Sequence, residues 1–79
     1  MRKKNGLKNS DIPKRLMVIR LLRGLSRKDV ADYLGITLQS VCFMETGKMG
    51  VTLENAIKLS ELYEMTLDDL FKKPLEVKL

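Results

Sequence analysis

Histidine and tryptophan are absent from this chain, and cysteine occurs once, at Cys42. A single thiol has no partner for an internal disulfide. Without histidine the common zinc ligand sets cannot be assembled, so neither a disulfide scaffold nor a zinc site is expected, and the lone thiol suits a reducing compartment. Aromatic residues are few, two Tyr and two Phe, which leaves the core to Leu, Ile, Val and Met. Long apolar runs are also missing. The stretch LMVI, ended by Arg20, is the longest near the N-terminus, so no signal peptide or membrane span is expected and a cytoplasmic protein is. There is no glycine-rich phosphate loop, and Cys42 has no visible base beside it. An enzyme is therefore not expected, nor a cofactor or a metal.

A chain of 79 residues allows one domain, and one this short buries only about 60 to 65% of its unfolded surface. Its net charge of +5 is unevenly placed. Residues 1–23 carry eight Lys or Arg against Asp11 alone; residues 24–50 balance three against three, and residues 51–79 carry four bases against six acids. A cationic front end suits a polyanionic partner, with DNA ahead of a membrane because no strongly apolar face accompanies the charge. A solvated tail is the bland alternative.

Residues 1–11 have no periodicity and read as a basic arm, followed by a domain over 12–73 and a short tail over 74–79. Pro13 suits a first helical turn, and Leu16, Ile19 and Arg23 then share a face, with Gly24 as the stop. Met17, Val18, Leu21 and Leu22 fall off that face, a surplus that fits either a subunit contact or burial under other elements. Ser26 with Asp29 forms a capping-box pattern, and Thr37, Thr52 and Thr66 are N-caps for three further helices. The fourth helix, LENAIKLSELY, presents Leu53, Ala56, Ile57, Leu59, Ser60 and Leu62 as a broad inward face. Asp68 and Asp69 sit at the positive end of the fifth and read as helix-end charges, not a catalytic pair. Pro74 stops that helix, and LEVKL alternates in strand fashion.

The organising stretch is 27–45, RKDVADYLGITLQSVCFME. Val30, Ala31 and Leu34 face inward from one helix, Val41 and Met44 from the next, and Gly35 between them can reach the positive φ of a sharp corner. This is a helix-turn-helix pattern. With IRLLRGLS before it, SVCFMETGK within it and TLENAIKLSELYEMTLDDLF after it, the chain resembles the phage-repressor and Cro type of helix-turn-helix, the xenobiotic-response-element family of small transcriptional regulators. The resemblance runs from about Leu16 to Phe71. It implies an all-α, five-helix bundle of the lambda-repressor-like kind, with helices 2 and 3 as the helix-turn-helix. It also implies a structural ion pair between Arg20 and Glu45, and a recognition helix over 37–45 lying in the major groove of double-stranded DNA.

Carried onto these positions, the resemblance places Thr37, Leu38, Gln39 and Phe43 at base edges and Arg27, Ser40, Thr46 and Lys48 at phosphates. Gln39 can pair with adenine, and Leu38 and Phe43 can touch thymine methyls. Relatives often carry basic residues on the recognition helix and glutamine where Arg27 stands; here the helix has no base, so positive charge is offered around it, by Arg27, Lys48 and the arm. Cys42 lies on the same face. A redox role for it needs nearby positive charge, and none is close in sequence. The expected function is that of a repressor acting as a homodimer on a palindromic operator. The alternative is a protein-interaction module on the same scaffold, antitoxin-like or adaptor-like, favoured by the apolar reading helix.

Overall fold

The computed structural model describes residues 11–72; the expected tail over 74–79 with its strand-like LEVKL, the Pro74 stop of the fifth helix and all of the expected arm but Asp11 lie outside the described residues. Five helices and no strands are present among the described residues: α1 (Ile12–Leu22), α2 (Arg27–Leu34), α3 (Leu38–Thr46), α4 (Leu53–Tyr63) and α5 (Leu67–Phe71).

Each boundary has a local chemical cause. Pro13 sits in the first turn of α1, where its missing N–H is no loss. The Ser26 hydroxyl accepts from the Asp29 amide while the Asp29 carboxylate accepts from the Ser26 amide, completing the capping box of α2. Thr37, Thr52 and Thr66 each accept one amide hydrogen at the start of α3, α4 and α5. Gly35, at φ 72°, ends α2 in the left-handed conformation, and its amide donates to the Ala31 carbonyl. The corner of the helix-turn-helix rests on that residue. Where α4 ends, the same backbone region is occupied by Glu64, at φ 57°, a position that glycine would fill with less strain.

The principal helix contacts run from α3 to α1, α5, α4, α2 and back to α3, a closed circuit around the core. That core is Leu16, Ile19, Val30, Ala31, Leu34, Val41, Met44, Leu59, Tyr63 and Leu70. One expectation is corrected here. The inward face of α4 is narrower than its composition implies: Ala56, Leu59 and Tyr63 are buried, whereas Ile57 is 44% exposed and Leu53 71% exposed. The reason is geometric, since α4 packs mainly on α2 and α5, and Ile57 is displaced about 100° around the helix from Ala56. Leu53 stands instead at the rim of an apolar opening of about 540 Å³ that Ile12, Pro13, Met44, Val51 and Phe71 also line. In α1, burial takes up only part of the surplus: Met17 and Val18 are half-buried, but Leu21 and Leu22 are exposed.

Candidate nucleic-acid interface

Because Val41, Met44 and Glu45 all face the core, α3 turns its opposite side outward. Leu38 and Gln39 are exposed there, and Ser40, Cys42 and Phe43 are half-buried. The Gln39 side chain makes no hydrogen bond among the described residues, so its amide is available to a partner. Leu38, at 50% exposure, projects beside it from the first turn. Phe43 is partly covered, with the Lys48 ammonium 5.7 Å from the centre of its ring, a cation–π arrangement that places a base next to an aromatic at the C-terminal end of the face.

The hydroxyls expected at this surface are already engaged. Thr37 accepts from the Ser40 amide at 3.0 Å and donates to Ser40 Oγ at 2.9 Å. Thr46 donates to the Cys42 carbonyl at 2.8 Å. To donate to a phosphate, Thr46 must give up that bond, whereas the Ser40 hydroxyl can accept from Thr37 and still donate outward.

Glu45 anchors the other side of α3. Its Oε2 accepts from Arg20 Nε at 2.8 Å and its Oε1 from Arg20 Nη2 at 3.2 Å, a two-point pair in which the side chains are 8% and 3% exposed. Arg20 Nη1 donates onward to the Leu25 carbonyl at 2.9 Å, so the guanidinium joins α1, the α1–α2 turn and α3. A third helix is tied in by Arg27. Its Nε donates to Glu45 Oε1 at 2.9 Å and its Nη1 lies 3.5 Å from Cys42 Sγ. The hydrogen bond to Glu45 holds the Arg27 guanidinium above its usual pKa range, against a smaller opposing effect of burial. Arg27, expected at a phosphate, is thus held by α3. The fold also supplies the positive charge near Cys42 that its sequence neighbours do not: fifteen positions separate Arg27 from it.

Two further arginines, Arg15 of α1 and Arg23 at its C-cap, have structural partners that sequence reasoning missed. Arg15, only 4% exposed, donates from Nε to the Leu70 carbonyl and from Nη2 to the Asp69 carbonyl, closing the last turn of α5. Burial disfavours its charge, and the Asp69 carboxylate partly offsets this. Arg23 Nε donates to the Tyr63 carbonyl, the last of α4, at 2.8 Å. The available signal was register: Arg15 and Arg23 are four residues to either side of the buried Ile19. Arg15, Arg20 and Arg23 together account for three of the eight bases in the cationic front end.

Comparisons with known proteins agree with this architecture. The sequence model of the helix-turn-helix family matches residues 16–70. An uncharacterised helix-turn-helix-type transcriptional regulator of Methanocaldococcus jannaschii is 30% identical over 57 residues, which span 72% of this chain and 86% of that protein. Among solved structures, the restriction-modification controller protein C.AhdI from Aeromonas hydrophila superposes with a TM-score of 0.73 at 29% identity, covering 78% of this chain and 94% of that one. A transcriptional regulator from Listeria innocua shares the fold, with a TM-score of 0.72 at 21% identity over 85% of this chain and 63% of that one. Among the described residues no helix is long and apolar enough to cross a membrane. With the family match spanning most of the chain and the helix-turn-helix at its centre, the protein belongs to the phage-repressor and Cro type of helix-turn-helix transcriptional regulators.

Proposed function

We propose that the chain is a transcriptional repressor that binds a palindromic operator as a homodimer and reads each half-site with α3 in the major groove. The observation that carries this reading is the asymmetry of α3. Its inner side is fastened at Glu45 to α1 and α2, while its outer side keeps Leu38 and Gln39 open to a partner. In this reading Gln39 pairs with adenine and Leu38 and Phe43 meet thymine methyls, with Thr37 closing the base-facing row. Lys48 and Ser40 contact phosphates, and Thr46 does so once it releases the Cys42 carbonyl. One such helix covers few base pairs, and two related by a two-fold axis read half-sites about 34 Å apart.

Exposed Leu38 and the lack of any Lys or Arg within α3 favour a second reading, in which the same face docks on a protein. Selection of bound sequences from a random DNA pool at two salt concentrations separates the two. A palindromic motif supports the operator reading. Salt-sensitive binding without a motif reduces the protein to a non-specific DNA binder, and no binding at either salt favours the protein-docking reading.

A further inference from the structure

We propose that Arg27 is a positioning residue: it grips α3 at Glu45 and Cys42 and thereby sets how sharply the helix discriminates between sequences, instead of serving as one more phosphate ligand. The inference rests on the DNA-reading function proposed above. Its basis is that a single guanidinium spans two points of the reading helix, with Nε 2.9 Å from Glu45 Oε1 and Nη1 3.5 Å from Cys42 Sγ. Those two points are three residues apart, about 4.5 Å along the helix and about 60° around it. They lie on different flanks. Glu45 belongs to the buried side, where its side chain is 3% exposed, and Cys42 stands at the edge of the reading face.

Arg20 already pairs with Glu45 through both of its oxygens, so the carboxylate does not depend on Arg27 for neutralisation. What Arg27 adds is a second azimuth. A helix held on one flank can roll about that attachment, and a roll of about 15° at a side-chain radius of about 6 Å moves a tip by about 1.5 Å. Hydrogen bonds tolerate a distance range of only about 0.5 Å, so a displacement of that size breaks the two-bond contact of Gln39 with a base. Arg27 stands at the first position of α2, and its side chain, 35% exposed, lies at the rim of the surface that meets DNA. Through it α2 and α3 move as one body.

A phosphate ligand and a positioning residue respond differently to lysine. Lysine keeps the charge and binds phosphate well, but it lacks the planar fork that spans two acceptors. The experiment is therefore Arg27→Lys in the full chain, with Cys42→Ala and the double variant. Affinity is measured on the selected site, on its single-base variants and on unrelated DNA, each at three salt concentrations. Expected for Arg27→Lys is a loss of about ten-fold in the ratio of selected to variant sites, the scale of one bidentate base contact. Affinity for unrelated DNA and the salt slope stay at the parent values. Cys42→Ala is expected to lower the ratio in the same direction, and the double variant to lose no more than Arg27→Lys alone. An unchanged ratio with Arg27→Lys overturns the proposal, as do strictly additive losses in the double variant.

Amide hydrogen exchange of residues 41–46 without DNA supplies an independent readout. Faster exchange in Arg27→Lys supports the grip, and unchanged exchange refutes it. If the parent protein shows no sequence preference, the operator reading fails and exchange alone decides the grip.

Discussion

Glu45 is the residue on which the placement of α3 depends. Its carboxylate is 3% exposed and accepts from two arginines on two helices, so removing it strands the buried Arg20 charge and frees both flanks of α3. Breaking a buried pair in this way costs about 3 to 5 kcal/mol. Urea unfolding of Glu45→Ala is expected to show that loss; a midpoint equal to the parent's contradicts a structural role for the pair. Tyr63 gives a pH signature at the same scale. Burial, reinforced by the negative Glu45 and opposed by Arg20, raises its phenol well above the ordinary value of 10.0. A raised folded pKa means that the contribution is fully present below pH 10 and is lost as pH rises toward the folded value. Stability is then expected to fall by about 1.4 kcal/mol per pH unit above 10. Denaturant titrations at pH 9 to 11 test this. Tyr63→Phe should flatten the slope in that window, and an equal slope in both proteins contradicts the assignment.

The helices themselves were largely legible in the sequence because their ends are local events. Ser26 with Asp29, and Thr37, Thr52 and Thr66, act within three residues of themselves, and Gly35 acts on its own backbone. The outward position of Gln39 follows from the inward one of Val41 and Met44. What was not legible was the use of charge in α1. Arg15 and Arg23 meet carbonyls 55 and 40 positions away, and no local pattern encodes the end of another helix. The same holds for Arg27, whose contacts with Cys42 and Glu45 become visible only once α2 is packed on α3. The width of the α4 face was misjudged for a related reason: apolar composition does not say how many neighbours an element has. One helix end carries a correctable strain. Glu64 sits at φ 57° where α4 stops. Glycine removes a left-handed penalty of about 1 to 2 kcal/mol and loses part of that to the greater freedom of its unfolded chain. Thermal melting of Glu64→Gly is expected to show a net gain of about 0.5 to 1 kcal/mol; a loss of stability would mean that the Glu64 side chain makes a contribution larger than the strain.

At the scale of the whole molecule, part of the cationic front end that first suggested a polyanionic partner is structural. Arg15, Arg20 and Arg23 hold α1 to the ends of α5, α3 and α4, whereas Lys48, outside that front end, stands beside Phe43 on the outward side of α3. Net charge alone was therefore a weaker argument for DNA than the fold is. The exposed Leu21 and Leu22, at 59% and 54%, are the largest part of the α1 surplus that folding leaves uncovered, and a dimer seated there would bury them. Sedimentation at tens of micromolar is expected to show a dimer for the parent and a monomer for the Leu21→Lys, Leu22→Lys double variant. A dimer that survives both changes moves the contact to another face. Whatever face the dimer uses, Gln39→Ala tests base reading by α3 most directly, because Gln39 is exposed and its side chain makes no hydrogen bond among the described residues. Binding is measured on the selected operator and on every single-base variant of it, at three salt concentrations. The predicted result is a preference relaxed at one position per half-site by about 1 to 3 kcal/mol, with the salt slope unchanged. Equal affinities of parent and variant on every sequence, or one uniform loss across all of them, would contradict it.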